Sequence, residues 1–535
     1  MKKILPILLP VVLATAAGLY SVFLEQDINY DMMSYHLYNP FALLNGHLGV
    51  DVIPAGMHSF YNSFPDLYFY FFFQTFMDFP HWVAFFMGVP YGLLVWVVYL
   101  FAKDLFQGED SPKIMAFWAT FLGCAGAGML SQVGTTTNDI PLAIGSIGSL
   151  WLVIKFSKNP ARTGLAYWAA LIGGAVMGLK LTTTPFCAAM TVIAFFSLPK
   201  VKNKLSFVVL FGLAGLLGFL LADGYFLWKW WSLYQNPIFP FYNDIFKSPF
   251  FDNFYLTDSR FLPKTWLHYL FYPLYWAFSP SEYAAEMPVR DLRFTLLLLA
   301  AIYGLKKFFP YAKRGDKQAE PFFLLAVYAL VAYVLWLTKF SLLRYGIVLE
   351  IVCGLLVVKA CKGLFKKKYW LVGFLSVFAV TQTFMTYADY GHNPFYKKAI
   401  VFTNKPHIED DSLVLLLVQP LAYLAPFLNP KAMYMSGFKY NPADFPPEVQ
   451  EDVRLFKNLP DDFYRFHFED KQKEVIKKHQ GPIYAIVPMV PGLLLHPNLL
   501  APYGLKGDNE ACKGFTTNLT LYTPSMLLIC PVQKI

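Results

Sequence analysis

Charge is what this sequence lacks most. Asp, Glu, Lys and Arg make up 15% of the 535 residues and hydrophobic residues make up 56%, whereas soluble domains average about 25% charged and about 45–50% apolar residues. The shortage of charge excludes an ordinary soluble multidomain protein, and the apolar excess indicates a membrane protein. Cysteine is also scarce. The 6 Cys, together with 53 Phe and 34 Tyr, exclude a disulfide miniprotein and a disordered chain.

Motifs for soluble cofactors are missing as well. The chain contains no G-x-x-x-x-G-K-[ST] loop, no G-x-G-x-x-G after a strand, no H-E-x-x-H and no C-x-x-C. These absences argue against a cytosolic nucleotide site. If chemistry occurs at the outer face of a membrane, where nucleotide donors are scarce, an activated group must arrive attached to a membrane carrier.

The basic residues that are present follow a topological pattern. The 44 Lys and Arg outnumber the 35 Asp and Glu and give a formal charge of +9. They fall in short clusters between apolar runs, which is typical of the cytoplasmic loops of a multispanning protein and leaves no basic stripe for nucleic acid. The clusters are residues 2–3, 155–162, 200–204, 306–317 and 359–368.

Apolar runs between these clusters predict a polytopic α-helical membrane protein. A spanning helix needs about 20 mostly apolar residues, and the clusters then set the N-terminus inside and the C-terminal tail outside. Two aromatic runs, residues 67–77 and 269–279, are too short to cross, so we expect them to form juxtamembrane helices in the outer interface. The predicted spans, about eleven by this criterion, are residues 4–24, 82–102, 114–131, 141–156, 164–181, 185–198, 205–222, 292–306, 321–337, 342–358 and 370–387.

The predicted topology places three sizeable regions outside. Residues 25–81 and 223–290 are outward loops of a transmembrane domain that covers residues 1–387, and residues 388–535 form an extracytoplasmic domain. That last region is predicted to be a small α/β domain, because strand-like and helical segments alternate in it. The segments are strand-like 413–418 and 483–487 and helical 448–459 and 463–478.

Two of the cysteines, Cys512 and Cys530, lie in the outward tail. A pair of cysteines in an oxidising compartment can form a disulfide, so we predict a bridge that locks strand-like residues 518–522 against 526–530. The alternative is two reduced thiols that are packed in the interior.

The first outward loop concentrates polar residues directly after a span. Asp31 and Asp27 are candidate catalytic carboxylates, because a carboxylate at the membrane surface can take a proton from an acceptor hydroxyl or amine, and partial burial raises its pKa toward the working range. The alternative is a solvated loop with structural turns. The loop also supplies predicted substrate-binding side chains, which are Tyr35, His36, Asn39 and His58.

A third carboxylate, Asp139, lies at the predicted outer end of a span and is a further catalytic candidate. The alternative for Asp139 and its neighbour Asn138 is helix capping before Pro141. Lys180 falls in a turn on the same predicted side, which brings a cation near these polar groups. Asp139 could also join a divalent metal site with Asp27 or Asp31, although two or three carboxylates do not identify a metal.

Basic residues at outer membrane boundaries are candidates for an anionic lipid headgroup. Lys339 and Arg344 stand at the end of one span and the start of the next, and Arg260 lies in the second outward loop. Basic groups beneath the outer leaflet are costly unless they are paired, and a phosphate is a natural partner. The alternative for Lys339 is snorkelling, in which the side chain reaches the headgroup region.

The order of these motifs resembles the GT-C superfamily of integral-membrane glycosyltransferases, in particular the branch with aminoarabinose transferases and protein O-mannosyltransferases. The chain departs from the branch where Asp31-Met32 replaces an Asp-Glu pair and where the juxtamembrane lysine before Pro65 is absent, so Lys180, Arg260, Lys339 and Arg344 remain alternatives for binding phosphate. The matching segments are residues 31–35, 42–48, 65–70, 138–142, 178–183 and 338–345.

The resemblance implies a GT-C-like fold and transfer of a sugar from a polyprenyl-phosphate donor to a glycan, lipid or protein acceptor at the outer face of a bacterial cytoplasmic membrane. The resemblance does not identify a definite cofactor, and a divalent metal ion remains an option. The alternative function is a transporter of lipid-linked saccharides, in which the boundary cations would bind phosphate without bond cleavage.

Overall fold

The computed structural model of the protein describes residues 5–278, 286, 288–313, 316, 319–439, 465–489, 497–519 and 526–535. Contacts divide the chain into two compact units. Unit 1 consists of Met1–Leu24, Phe85–Tyr225 and Thr257–Tyr390, and unit 2 consists of Glu25–Ala84, Phe226–Leu256 and Gly391–Ile535. The whole of the first outward loop and part of the second thus belong to the same unit as most of the C-terminal region.

Unit 1 is helical, because its long apolar runs satisfy their backbone polar groups internally only as helices. Its glycines let helices approach closely. A Cβ on Gly354 in the helix Ile347–Leu364 would lie 2.2 Å from the carbonyl oxygen of Ala119 in the helix Pro112–Cys124. The helices up to the start of the C-terminal region are α1 Leu5–Phe23, α2 Tyr38–Leu44, α3 Leu67–Thr75, α4 Pro80–Leu105, α5 Pro112–Cys124, α6 Ala127–Leu130, α7 Asp139–Lys158, α8 Thr163–Leu179, α9 Thr184–Phe196, α10 Lys204–Tyr234, α11 Asn243–Phe246, α12 Trp266–Phe278, α13 Arg293–Lys313, α14 Ala319–Lys339, α15 Ile347–Leu364 and α16 Trp370–Thr383. Of these, α2, α3 and α11, the start of α4 and the end of α10 belong to unit 2.

Every predicted span overlaps a helix of the structure, and the two short aromatic runs form helices α3 and α12. Among the described residues, six helical segments are long and apolar enough to cross a membrane, and three apolar helices are shorter. The protein is therefore a multi-pass membrane protein, while the count of about eleven spans stays a prediction. The predicted span at residues 114–131 is interrupted, since α5 ends at Cys124 and α6 begins at Ala127.

A buried arginine closes this interruption. Arg293 is completely buried and donates from Nε to the carbonyl oxygen of Leu122 (2.9 Å) and from Nη2 to that of Ala125 (2.6 Å). Its Nη1 donates to both carboxylate oxygens of Asp291 at 3.0 and 2.9 Å, and Asp291 accepts the backbone N–H of Ala127 at 2.8 Å. These bonds satisfy backbone groups that the helix break would otherwise leave unpaired.

A second buried carboxylate, Glu350 of helix α15, completes the arrangement. It accepts the backbone N–H of Gly128 at 2.8 Å and that of Met129 at 3.0 Å. Gly126 is required at the break, because a Cβ there would lie 2.2 Å from a carboxylate oxygen of Glu350. The break is therefore held from two other helices of unit 1.

The predicted α/β region lies in unit 2, and its described residues form a seven-stranded sheet. The strand order is β3-β8-β9-β6-β4-β5, and β7 also pairs with β9. Strand β4 runs parallel to β5 and β6, and the remaining pairs are antiparallel. A separate two-stranded ladder joins β1 to β2. The strands are β1 Gln26–Asp27, β2 His392–Asn393, β3 Phe402–Thr403, β4 Leu413–Leu416, β5 Met433–Met435, β6 Ile483–Pro488, β7 Leu505–Gly507, β8 Lys513–Thr517 and β9 Met526–Lys534.

The predicted segments of this region are found with shifted bounds. The strands at 413–418 and 483–487 correspond to β4 and β6, and the helix at 463–478 begins later, as α18 Glu469–Lys478 after α17 Ala425–Leu428. The predicted helix at 448–459 lies outside the described residues. Of the strand expected at 518–522, residues 520–522 lie outside the described residues, and residues 518–519 follow β8, which pairs with β9.

Buried aromatic and polar contacts hold unit 2 together. Phe60 packs edge-on against Trp230, Tyr234 and Phe239, with ring centroids 5.5, 5.3 and 4.7 Å apart. The buried Asp51 carboxylate accepts the Tyr38 hydroxyl (2.8 Å), the His47 imidazole (3.1 Å) and the backbone N–H of Tyr434 (2.9 Å). Burial opposes charging of His47, but the Asp51 carboxylate outweighs it and raises the pKa of His47.

Cys512 and Cys530 are joined by a disulfide that connects the turn before β8 to strand β9, and the other four cysteines are reduced.

We predict that a thiol reagent labels four cysteines in denatured, non-reduced protein and all six after reduction. Because the bridge closes a loop with a sequence separation of 18, replacing both cysteines by serine should lower the free energy of unfolding by about 3 kcal/mol in the chain-entropy model. Labelling of six thiols before reduction would contradict the pairing.

Candidate functional site

The sequence-predicted catalytic and substrate-binding residues, apart from Lys339, fall into two polar groups, one in each unit. The unit 1 group contains Asp139, Lys180, Arg260 and Arg344, together with Asp258, Glu286, Tyr345 and Tyr390, which sequence reasoning did not select. The unit 2 group contains Asp27, Asp31, Tyr35, His36, Asn39 and His58, together with Asp66, which was also missed.

Asp139 and Lys180 form an ion pair in unit 1. Lys180 Nζ lies 2.7 Å from Asp139 Oδ1 and 2.9 Å from Asn138 Oδ1, and the side chains of Asp139 and Lys180 are 6% and 18% exposed. Asp139 is the first residue of α7, where the helix dipole favours a carboxylate. Asn138 makes no side-chain capping bond. Asp139 Oδ2 is buried and accepts no hydrogen bond from any residue that the structure describes.

Tyr345 links this pair to Arg344. The ring centroid of Tyr345 lies 5.1 Å from Lys180 Nζ and 5.1 Å from Arg344 Cζ. Arg344 Nη2 lies 3.3 Å from Tyr345 Oη and 3.3 Å from Glu286 Oε1. Arg344 is in the short turn before α15 and its side chain is 13% exposed, so its charge is only partly hydrated. The predicted cations Lys180 and Arg344 are thus brought together around one aromatic ring.

Arg260 belongs to the same group through its electrostatics. It forms a bidentate ion pair with Asp258, with Nη2–Oδ2 and Nε–Oδ1 distances of 2.7 and 2.9 Å. Burial opposes charging of Asp258, but Arg260 outweighs it and lowers the pKa of Asp258, and Arg344 adds to the effect. Lys339 is different: it is an exposed residue at the C-terminus of α14.

Tyr390 interacts electrostatically with the unit 1 group. Burial raises the pKa of its phenol, the carboxylates of Glu286 and Asp139 raise it further, and the guanidinium of Arg344 opposes them. The phenol is therefore protonated at neutral pH and can donate a hydrogen bond. It lies within electrostatic reach of both the acid and the cation that sequence reasoning selected.

In unit 2, the two candidate carboxylates have different surroundings. Asp27 is buried and receives hydrogen bonds from Asn29, whose Nδ2 lies 2.7 and 2.9 Å from the two Asp27 oxygens and whose backbone N–H lies 3.0 Å from Oδ1. These bonds form a local turn, which is the structural alternative to a catalytic role for Asp27. Asp31 is partly exposed and precedes a π-helix at Met32–His36, a type of helix that often occurs at functional sites.

His36 is oriented by a residue that the sequence did not reveal. Its Nδ1 lies 2.6 Å from Asp66 Oδ1, and both side chains are 1% exposed. The other ring nitrogen, Nε2, is buried with no hydrogen-bond partner among the described residues. A carboxylate at Nδ1 fixes the tautomer and leaves the Nε2 lone pair as the remaining acceptor.

Tyr35 and His58 stack with ring centroids 4.9 Å apart and planes 7° apart, and Tyr61 packs edge-on against Tyr35 at 5.4 Å. Asn39 donates from Nδ2 to the carbonyl oxygen of His58 at 2.9 Å. The predicted binding residues of this loop therefore form one contiguous cluster with His36, whose ring centroid lies 4.1 Å from that of Tyr35.

The residues missed by sequence reasoning share a cause. Asp66 lies 30 residues from His36 in sequence, and Glu286 and Tyr390 lie in different segments from Arg344. No spacing rule joins such positions; only the position of Asp66 in a polar turn before an aromatic helix was a weak signal. As for a metal, no group of three or more His, Cys, Asp or Glu among the residues described could hold one.

Comparison with known proteins shows the fold. No protein-family model matches the chain, and no curated protein matches it. ArnT from Cupriavidus metallidurans in the apo state aligns with 13% identity and a TM-score of 0.50, covering 97% of this chain and 97% of that chain.

Two further solved structures are similar at lower scores. ArnT from Cupriavidus metallidurans bound to undecaprenyl phosphate has 11% identity, coverage of 98% and 97% and a TM-score of 0.48. The Archaeoglobus fulgidus oligosaccharyltransferase in complex with Zn and sulfate has 11% identity, coverage of 88% and 67% and a TM-score of 0.42. At these identities the likeness concerns the fold alone, and the alignment with apo ArnT shows that this chain has an ArnT-like fold.

The Asp139–Lys180 pair is expected to be energetically coupled. We predict that Lys180→Met lowers the free energy of unfolding in detergent by about 2–4 kcal/mol, because it leaves a buried carboxylate without its cation. Adding Asp139→Asn to this variant should restore about half of the loss. Lys202→Met, at an exposed lysine, is the control and should change stability by less than about 0.5 kcal/mol. Additive effects in the double variant would show that the two side chains are not coupled.

Proposed function

We propose that this protein is a glycosyltransferase that takes a sugar from a polyprenyl-phosphate carrier and transfers it to an acceptor at the outer face of the bacterial cytoplasmic membrane. The N-terminus is then inside and the C-terminal α/β region outside. The observation that carries the proposal is the group of Lys180, Arg344 and Tyr345 beside the buried Asp139, at the ends of apolar helices with an ArnT-like fold.

The chemistry assigned to the donor side is stabilisation of a leaving phosphate. When the bond between the anomeric carbon and the phosphate oxygen breaks, negative charge develops on the phosphate, and preorganised cations lower the energy of that state. Arg344 is the first candidate because a guanidinium offers a fork of N–H donors that matches phosphate oxygens. Lys339, Arg260 and Lys180 are the further candidates.

The chemistry assigned to the acceptor side is proton removal. Asp31 is proposed to take the proton of the acceptor hydroxyl or amine as its oxygen or nitrogen attacks the anomeric carbon. A single displacement of this kind inverts the configuration of the sugar. Asp139 and Asp27 are secondary catalytic candidates, and Tyr35, His36, Asn39 and His58 are proposed to bind substrate.

A carrier-linked donor fits both the chain's composition and its missing motifs. A polyprenyl chain is soluble in the bilayer that surrounds the apolar helices, whereas a nucleotide sugar would need a phosphate-binding loop that the sequence does not contain. The phosphate and the sugar are then the only parts of the donor that need polar partners.

Purified protein incubated with radiolabelled polyprenyl-phosphate sugars and candidate acceptors tests the proposal. A new glycosidic bond supports it. Movement of the lipid-linked sugar across vesicles without any new bond would instead establish the transporter function. Repeating the assay with EDTA tests a divalent metal, since activity that is insensitive to the chelator argues against one. Mass spectrometry of copurified lipid would identify the carrier.

The first catalytic prediction concerns Asp31. We expect Asp31→Asn to lower transfer by at least about 10²-fold with folding intact, because a general base contributes about 10²–10⁴-fold. Asp139→Asn should cost less. The control is Asp78→Asn, which changes an exposed carboxylate of the same unit that pairs with Lys398. The readout is the single-turnover rate at saturating donor, and full activity of the Asp31 variant would reject the role of base.

The second prediction concerns the donor phosphate. We expect Arg344→Ala to raise the KM for the donor by at least about tenfold, because a charge-assisted bidentate contact is lost. Arg344→Lys should recover only part of the affinity, since lysine presents a point charge. Arg162→Ala, at an exposed arginine in a predicted cytoplasmic cluster, is the control. Unchanged donor affinity and turnover in Arg344→Ala would place the phosphate elsewhere.

A further inference from the structure

Glu286 holds the position that an anionic ligand of Arg344 would take. Its Oε1 lies 3.3 Å from Arg344 Nη2, and the side chains of Glu286 and Arg344 are 31% and 13% exposed. A carboxylate and a phosphate offer similar pairs of oxygen acceptors to a guanidinium. The two therefore compete for the same N–H donors.

Glu286 also acts on the second arginine of the group. The Asp258 hydrogen bond raises the pKa of Arg260, burial opposes it, and the charges of Asp258 and then Glu286 raise it further. Asp258 already binds Arg260 through both oxygens. Glu286, like Asp258, is thus within electrostatic reach of both guanidinium groups, and it is the one that pairs with the less exposed of them.

Among the residues that the structure describes, the named cations and carboxylates of this group form pairs. The cations Lys180, Arg260 and Arg344 each have a carboxylate partner, namely Asp139, Asp258 and Glu286. A phosphate that binds here adds negative charge unless one carboxylate gives way. The Asp139 pair is the most buried of the three, and Asp258 is held by two bonds of 2.7 and 2.9 Å. Glu286 lies 3.3 Å from Arg344, the longest of the three ion-pair distances, so it is the partner most easily displaced.

We infer that Glu286 is an internal competitor for the carrier phosphate, which occupies the phosphate subsite at Arg344 when that subsite is empty and leaves it when the phosphate binds. This inference rests on the proposed function, because it takes Arg344 as a phosphate ligand. Glu286 sets donor affinity and promotes release of the polyprenyl phosphate that transfer leaves behind. It is a residue that acts through Arg344 and not a catalytic group.

Binding of undecaprenyl phosphate to the purified full chain in nanodiscs tests the inference. Glu286→Gln keeps the size of the side chain and removes its charge, so its Kd for undecaprenyl phosphate should fall about three- to tenfold, a modest factor because Glu286 is partly solvated. Binding of undecaprenol, which lacks the phosphate, should not change. In turnover, the variant should show a lower KM for the donor and stronger inhibition by undecaprenyl phosphate, which a purely structural role would not produce.

Three control variants and two further probes separate the outcomes. Glu109→Gln removes a carboxylate from another partly buried ion pair, with Lys359, and should leave the Kd unchanged. A Kd that is unchanged or higher in Glu286→Gln, while Arg344→Ala or Arg344→Lys weakens binding, overturns the inference and leaves the proposed function intact. If Arg344→Ala also binds as wild type does, the phosphate site itself is misplaced and the inference falls with it. An equal gain for phosphatidylglycerol or inorganic phosphate overturns the assignment to the carrier phosphate.

Discussion

The architecture of unit 1 depends on satisfying backbone polar groups where a helix is interrupted among apolar helices. The break is buried among helices, so unpaired N–H and C=O groups there would cost about 1–3 kcal/mol each. The side chains of Arg293, Asp291 and Glu350 form hydrogen bonds with these backbone groups around the break between α5 and α6. Because these side chains come from the start of α13 and from α15, the break also positions those helices.

The interruption has consequences for the charged group of the same unit. Gln132, just after α6, donates from Nε2 to the carbonyl oxygens of Gly128 (2.8 Å) and Arg344 (3.1 Å). The chain then continues through buried threonines to Asp139 at the start of α7. The helix break therefore turns the chain so that one segment contacts the backbone of Arg344 and then presents the carboxylate that pairs with Lys180. Structural ion pairs and candidate functional ion pairs belong to one connected stretch of the fold.

The two carboxylate-rich groups differ in what their surroundings permit. Asp27 accepts hydrogen bonds from Asn29 in a local turn. Asp31 is partly exposed and precedes a π-helix, and the last residue of that helix, His36, forms a hydrogen bond with Asp66. A buried charge needs a partner, and in unit 2 the partners of Asp51 and Asp66 are the histidines His47 and His36. In unit 1 the partners are lysine and arginine, whose side chains carry several N–H donors.

The sequence by itself determined where the helices lie and which kind of region follows them. Apolar run length is a local property, so the predicted spans overlap the observed helices, and the change from helical to strand-like patterning marked the C-terminal α/β region. It also singled out Asp139, Lys180 and Arg344, because polar residues at the ends of apolar runs stand out without any knowledge of packing. Only the tertiary structure decided the pairings. Asp66 with His36, Glu286 with Arg344, and Arg293 with the carbonyls of α5 join residues from separate segments, and their proximity depends on helix packing that no local pattern encodes.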